Sequence, residues 1–201
     1  ISLSAVGSLR KDYKPGDFVV IDQFIDKTYR RESSFFDKEI VAHIPFSEPV
    51  CHNLRKISIK TLKDLKLKYH NVGTYICIEG PQFSTLAESE LYRSWGCDVI
   101  GMTNIPEAKL AREAGICYCS IAMVTDYDCW HPDHEKVTVE QIVNTLKDNS
   151  DKAFKFIDTI TKLDEINCEK NVTDVLSNSI ITDLSKVNKN TKKKLKYILL
   201  N

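Results

Sequence analysis

Apolar positions along this chain alternate between two rhythms. One is the short solid block. Phe18 to Ile21 is an apolar run preceded by the turn pair Pro15-Gly16, and it reads as a buried strand. Residues 74–78 (TYICI) are β-branched and aromatic and predict a second strand, closed by Glu79-Gly80-Pro81. Residues 97–102 (CDVIGM) predict a third. Residues 116–125 (ICYCSIAMVT), the most apolar run of the chain, predict a fourth.

The other rhythm is helical. Between Asn53 and Leu67, apolar side chains at Leu54, Ile57, Ile59, Leu62, Leu65 and Leu67 recur at mixed spacing with lysines between them, which predicts an amphipathic helix with a solvated basic face. Ser84 to Trp95 predicts a helix with Ser84 or Thr85 as N-cap, a glutamate downstream and Gly96 as the stop. Pro106 to Gly115 predicts a helix with proline at its first position and glycine at its end. Residues 137–160 carry a long helical period, and the more polar tail from Asp164 to Asn201 reads as helical. The opening residues read as a small-residue turn followed by a charged turn, and Lys27 to Lys38 as a loop.

Strands alternating with helices predict an α/β fold: a mixed, largely parallel central sheet flanked by helices, in one domain over residues 1–201. The length of 201 residues suits one core, and no repeat or Pro/Ser/Gly linker divides the chain. Lys+Arg and Asp+Glu both number 28, and a net charge of zero argues against a dedicated nucleic-acid binder. No apolar stretch reaches the ~20 residues of a membrane-spanning helix. The chain opens on Ile1 rather than Met, with no secretory pattern in residues 1–9. Its seven cysteines are odd in number and lack a C-x-x-C pair, so free buried thiols in the cytoplasm are expected.

In such sheets the chemistry gathers beyond the carboxyl ends of the strands. Thr125-Asp126-Tyr127-Asp128 leaves the most apolar strand, with two carboxylates two residues apart on one side. An apolar pocket there would make a proton donor of a carboxyl group; a solvated acidic turn is the plainer alternative. Residues 79–84 (EGPQFS) suit either a ligand-facing turn or an ordinary strand-to-helix turn with a buried Phe83, and the residue types alone favour the second. Cys129, His131 and His134 superficially resemble zinc ligands, but Pro132 interrupts them and no second cluster completes the set, so no metal is expected and the segment reads as a loop over a pocket. The lysines at 192–194 and 196 read as a solvated face beside an apolar end.

Taken together, the strand-exit motifs resemble the methylthioadenosine phosphorylase branch of the purine nucleoside phosphorylase superfamily. The resemblance runs in order through residues 4–9 (SAVGSL) with Pro15-Gly16-Asp17, residues 22–26 (DQFID), His43-Ile44-Pro45, residues 79–84, Met102-Thr103 with Pro106-Glu107, and residues 114–118 on through 125–130. It spans residues 4 to about 150 and fades in the tail. Family members also carry a preceding segment with further phosphate-binding residues, which implies that this chain corresponds to an amino-terminally incomplete domain.

The resemblance implies phosphorolysis of 5′-methylthioadenosine to adenine and 5-methylthioribose 1-phosphate, in purine and methionine salvage. Purine nucleoside phosphorolysis with another base preference, and a catalytically incomplete nucleoside-binding fragment, are the alternatives. Asp126 corresponds to the residue at N7 of the leaving base, and Asp128 supports it and the amino group. Phe83 and Met102 pack on base and sugar, and Ser84 and Thr125 border the base. Thr103 lies near sugar and phosphate, Ser4 binds phosphate, and Ala5 lies alongside. Val139, Ile142 and Val143 correspond to an apolar wall for the methylthio group, and Leu199 and Leu200 to a closing tail. His43 corresponds to a residue lent to a neighbouring subunit, which implies a homotrimer. Inorganic phosphate is a co-substrate and no cofactor is expected. Neither a nucleic acid nor a membrane is expected as partner, and the implied location is the cytoplasm, with the nucleus as a further site.

Overall fold

The computed structural model describes residues 1–36, 39–132, 139–163 and 166–199, and within these the side chains of 139, 141 and 142 lie outside the description. Seven strands form one sheet: β1 (Ser2–Ser8), β2 (Phe18–Val20), β3 (Gln23–Lys27), β4 (Tyr69–His70), β5 (Thr74–Ile78), β6 (Val99–Gly101) and β7 (Ser120–Tyr127). Their order is β3-β5-β6-β1-β7-β2-β4. The pairs β1–β7, β2–β4, β3–β5 and β5–β6 are parallel, while β1–β6 and β2–β7 are antiparallel. The expected mixed, largely parallel sheet is therefore present.

Strand β1 corrects the sequence reading, which made residues 1–9 a turn. In Ser2–Ser8 small polar and apolar residues alternate too weakly to advertise a strand, yet the segment lies near the centre of the sheet with β7 along its whole length. The run 116–125 shifts the other way. Its first residues approach the sheet as irregular chain, and β7 continues to Tyr127, which carries Asp126 onto the end of the strand. Strands β3 and β4 are short edges in polar sequence and were not expected.

Helices cover both faces. Helix α1 (His52–Asp64) buries Leu54 and Leu62, and α4 (Val139–Ile160) buries Phe156 and Ile160 against one face formed by Phe18, Val20, Ile121 and Met123. Burying a side chain the size of Phe156 contributes ~2–3 kcal/mol. From α4 the buried Asn149 donates its Nδ2 to the Val124 carbonyl at 3.0 Å, which fixes the helix to β7. On the other face Val6, Tyr75, Val99, Ile105 and Val124 form a second cluster with Ala108 of α3 (Glu107–Glu113).

Helix α2 (Leu86–Ser94) starts on a capping box. Glu88 N–H donates to the Thr85 hydroxyl, and Thr85 N–H to the Glu88 carboxylate. Thr85 is thus the cap, which frees the Ser84 hydroxyl for another partner. Pro106 stands at the cap of α3 rather than inside its first turn. The tail forms short helices, α5 (Lys170–Thr173), α6 (Lys189–Lys194) and α7 (Lys196–Leu199), interleaved with 3-10 turns.

The thiol expectation needs one correction. Cys117 and Cys168 form a disulfide, 51 positions apart in sequence and with 5.9 Å between their Cα atoms. Helix α4 runs back along the sheet and returns the polar tail to the approach of β7, a meeting that spacing in sequence does not reveal. Cys51, Cys77, Cys97 and Cys119 are free and buried, and Cys129 is free and half-buried. Burial pushes the Cys97 and Cys119 thiols up to about 11, which leaves them unreactive at neutral pH.

Candidate active site

The end of β7 gathers the acidic groups. In register, Gly7 of β1 faces Asp126 and Ser8 faces Tyr127, after an irregularity between Val6 and Gly7. A Cβ at position 7 would stand 3.2 Å from Ile100 Cγ2, a tight approach, and at ordinary contact distance from Asp128 Cβ (3.6 Å) and Asp126 Oδ2 (3.7 Å), so both acids lie directly over this residue. Asp128 is buried, and its N–H donates to the Ser8 carbonyl at 3.0 Å. Its Oδ2 accepts hydrogen bonds from Ser84 Oγ at 3.0 Å and Ser89 Oγ at 2.5 Å. Two hydroxyl donors thus converge on one oxygen of the buried carboxylate.

Asp126 is half-buried, and its Oδ1 lies 2.6 Å from the Thr125 hydroxyl. That hydroxyl also lies 3.2 Å from the Val6 carbonyl. A carbonyl only accepts, and threonine has one proton to give. When Asp126 is ionised, Thr125 donates to it. When Asp126 carries a proton, Asp126 donates to Thr125 and Thr125 donates to Val6. Both protonation states of Asp126 are thus accommodated without a rearrangement, as a group that exchanges a proton requires.

A second network lies three residues earlier on β1. Ser4 is buried and accepts from Asn104 Nδ2 at 3.3 Å. Oδ1 of Asn104 accepts from Ser2 Oγ at 3.0 Å, and the single Tyr118 hydroxyl proton lies between Asn104 Oδ1, at 2.9 Å, and the Glu107 carboxylate. Tyr75 Oη accepts the N–H of Thr103 at 3.2 Å and shares a hydrogen bond with its hydroxyl at 3.2 Å. Burial raises the Tyr75 phenol above its ordinary value, so it stays neutral. Ser4 and Thr103 are brought together through Tyr75 and Asn104. Ala5 is exposed beside them.

Met102 sits against the turn after β5. Gly80 has a left-handed φ of 72°, and a Cβ there would stand 2.5 Å from Met102 Sδ. Only glycine permits this approach. Phe83, further along that turn, is 85% exposed, where sequence favoured burial. An aromatic face left in solvent is open to stack on a flat ligand.

The remaining expected residues stand apart. His43 is exposed; its N–H bonds to the Ser179 carbonyl at 2.9 Å, and it lines a cleft of about 260 Å³ with Ser33, Phe46, Lys109, Arg112 and Glu113. Val143 is exposed on α4. The side chains of Val139 and Ile142, and Leu200, lie outside the described residues, while Leu199 ends α7 half-buried. The weighed zinc ligands point to different neighbours. Cys129 Sγ faces the Ser84 carbonyl at 3.6 Å, His131 stacks on Tyr127 at 4.2 Å, and His134 lies outside the described residues. Among the described residues no helix is long and apolar enough to cross a membrane.

Sequence reading missed Ser89, Tyr75 and Asn104. Ser89 and Tyr75 sit inside regular elements where only the fold shows their partner. Asn104 has a left-handed φ of 73°, which asparagine tolerates better than most residues, and its place just before Ile105-Pro106 was the available signal.

A mixed sheet of this order, with paired acids at the end of its most buried strand, is the nucleoside-phosphorylase type of fold. Residues 1–162 match the phosphorylase superfamily. The chain is 61% identical over 153 residues to S-methyl-5′-thioadenosine phosphorylase of Rhodospirillum rubrum, covering 76% of this chain and 52% of that relative. It is 50% identical over 199 residues to the protein of that name from Koribacter versatilis, covering 99% of this chain and 68% of the other. A crystal structure of methylthioadenosine phosphorylase from an Antarctic soil metagenomic library superposes with a TM-score of 0.91 at 40% identity, covering 98% of this chain and 70% of that one. Methylthioadenosine phosphorylase of Schistosoma mansoni in complex with adenine superposes at 0.74 with 30% identity, covering 98% of this chain and 70% of that one. The chain belongs to the S-methyl-5′-thioadenosine phosphorylase family of the phosphorylase superfamily. It spans about half the length of the Rhodospirillum relative.

Proposed function

We propose that the protein carries out phosphorolysis of 5′-methylthioadenosine, with inorganic phosphate as co-substrate and no cofactor. The observation that carries this reading is the carboxylate pair at the end of β7, Asp126 on Thr125 and Asp128 on Ser84 and Ser89. In the proposed reaction a phosphate oxygen bonds to C1′ of the ribose as the C1′–N9 bond breaks. The electron pair of that bond goes to the purine, and Asp126 supplies the proton or hydrogen bond at N7. Ionised Asp128 accepts from the exocyclic amino group, which favours a 6-aminopurine. Phe83 and Met102 cover base and sugar, and Thr103 and Ser4 hold hydroxyl and phosphate oxygens. Ala5 lies beside the sugar, and Val143 of α4 belongs to the wall for the methylthio group, the side chains of Val139 and Ile142 lying outside the description.

The same reading makes the assembly a homotrimer in which His43 enters a neighbour's pocket. It places the reaction in purine and methionine salvage, in the cytoplasm and also the nucleus. The test is adenine release from 5′-methylthioadenosine by the purified chain, with and without phosphate. Phosphate-dependent release is the expected result. Faster turnover of inosine would replace this reading with another base preference, and adenine binding without turnover would replace it with a nucleoside-binding role.

A further inference from the structure

Three parallel strands, β3, β5 and β6, leave the sheet side by side, and their ladder ends at the pairs Lys27–Ile78 and Cys77–Gly101. Beyond that point the chains separate into two loops. Residues 79–85 follow β5 and carry Phe83 and Ser84; residues 102–106 follow β6 and carry Met102 and Thr103. The two loops touch where Gly80 presses on Met102.

One side chain spans the gap. Arg31, four residues after β3, donates through Nη2 to the carbonyl of Ile78, the last residue of β5, at 3.3 Å and to that of Glu79, on the first loop, at 3.0 Å. Through Nη1 it donates to the carbonyl of Ile105, on the second, and faces Cys77 Sγ at 3.7 Å. Its Nε reaches Glu79 Oε1 at 3.4 Å, and Glu79 Oε2 accepts the N–H groups of Tyr29 and Arg30 at 2.7 and 3.2 Å. The side chain is 21% exposed. A guanidinium is planar, always charged and purely a donor, so it can hold carbonyls on two separate loops at once. A lysine ammonium at the same place reaches one side or the other.

We propose that Arg31 is a positioning residue that sets the distance between the base-facing loop 79–85 and the sugar-facing loop 102–106. It touches neither base nor phosphate. It acts through Gly80 and Met102, whose contact fixes how Phe83 and Met102 present themselves to one nucleoside. This rests on the function proposed above, and the loop coupling itself does not depend on it.

The experiment compares wild type with Arg31→Met and Arg31→Lys. Amide hydrogen exchange is read first, because it needs no activity. In Arg31→Met, exchange at 79–85 and 102–106 accelerates together, by about fivefold or more, while the amides of β7 keep their protection. Loosening of one loop alone, or of neither, would overturn the proposal. If Arg31→Met does not fold, Arg31→Lys is read instead: the loop that the ammonium no longer reaches exchanges faster while the other keeps its protection, and unchanged protection in both loops would overturn the proposal. Kinetics then test the link to function. KM for 5′-methylthioadenosine rises about tenfold, as expected for losing a charged hydrogen bond, and added methylguanidinium restores it in Arg31→Met. Wild-type chain that neither binds adenine nor releases it would sink the proposed function, whereas active wild type with unaltered nucleoside KM in Arg31→Met would sink the positioning role.

Discussion

The Ser89 hydroxyl, fully buried on α2, donates to Oδ2 of Asp128 at 2.5 Å from a helix that otherwise serves as packing. Ser84 reaches the same oxygen at 3.0 Å from the turn before that helix, but is half-buried. The two serines are therefore unequal. Water can replace the Ser84 hydroxyl, and none can replace Ser89. Ser89→Ala is expected to lower kcat/KM for 5′-methylthioadenosine about tenfold or more, the cost of one hydrogen bond to a charged group, and Ser84→Ala less. Steady-state kinetics of both variants check this. A larger loss at Ser84 would mean that Ser84 meets the substrate itself.

Asn104 makes a separate prediction about stability. Its amide serves Ser2, Ser4 and Tyr118 at once, while its backbone sits at a left-handed φ. Asn104→Ala loses both features and Asn104→Gly loses only the amide. Both are expected to unfold earlier in urea, Asn104→Gly by ~1–3 kcal/mol for buried hydroxyls left unpaired and Asn104→Ala by more. Equal stability of Asn104→Gly and wild type would show that the network contributes nothing to the fold.

The Cys117–Cys168 disulfide closes a loop over 51 residues. Chain-entropy arguments put its contribution at up to ~4 kcal/mol, through restriction of the unfolded chain. Cys168 is exposed, so Cys168→Ser opens no cavity. The expected result is an earlier urea midpoint for Cys168→Ser, matched by wild type under reductant. An unshifted midpoint in both would remove the bridge from the stability account.

Asp26 and Lys109 link β3 to α3, with Nζ 2.5 Å from Oδ2. Burial pushes the Asp26 carboxyl up, but Lys109 and the Thr28 hydroxyl and N–H outweigh it and hold the group below its ordinary value. A lowered carboxylate stabilises the fold above its unfolded pKa, and that stability is lost as pH falls through the folded pKa. Lys109→Met is therefore expected to be less stable near neutral pH, with the difference from wild type shrinking in acid. Both side chains are partly exposed, so solvent screening keeps the effect at about 1 kcal/mol or less. Urea midpoints at pH 7 and pH 3 decide it, and a constant difference would exclude the ion pair as the cause.

Much of the fold was written in local patterns. TYICI and the run ending at Thr125 gave their strands because β-branched and aromatic residues filled them, and Thr85 with Glu88 marked the start of α2 within a residue or so. Strand β1 was hidden because serine, alanine and glycine carry little hydrophobic signal, although a central position demands small side chains under the acids. The acids themselves were legible, since carboxylates at the end of an apolar strand are conspicuous. Their supports were not: Ser89 is one serine among many in a helix, and Arg31 lies in a charged segment that reads as solvent-facing. Partners distant in sequence leave no trace until the chain is folded.

The sheet order has a consequence for how the molecule opens. Strands β1 and β7 lie inside the sheet, and residues Ser120–Thr125 of β7 are buried without a break, whereas β3 and β4 are edges. Asp126 and Asp128 hang from the most enclosed strand. Brief fraying at either edge exposes few of the amides beneath the acids, so their geometry persists on the timescale of global unfolding rather than of local breathing. The loops around Gly80 and Met102 hang instead from β5 and β6, nearer the β3 edge. The acids and the two loops thus hang from strands of unequal depth in the sheet, and local opening is expected to loosen the loops before it reaches the acids.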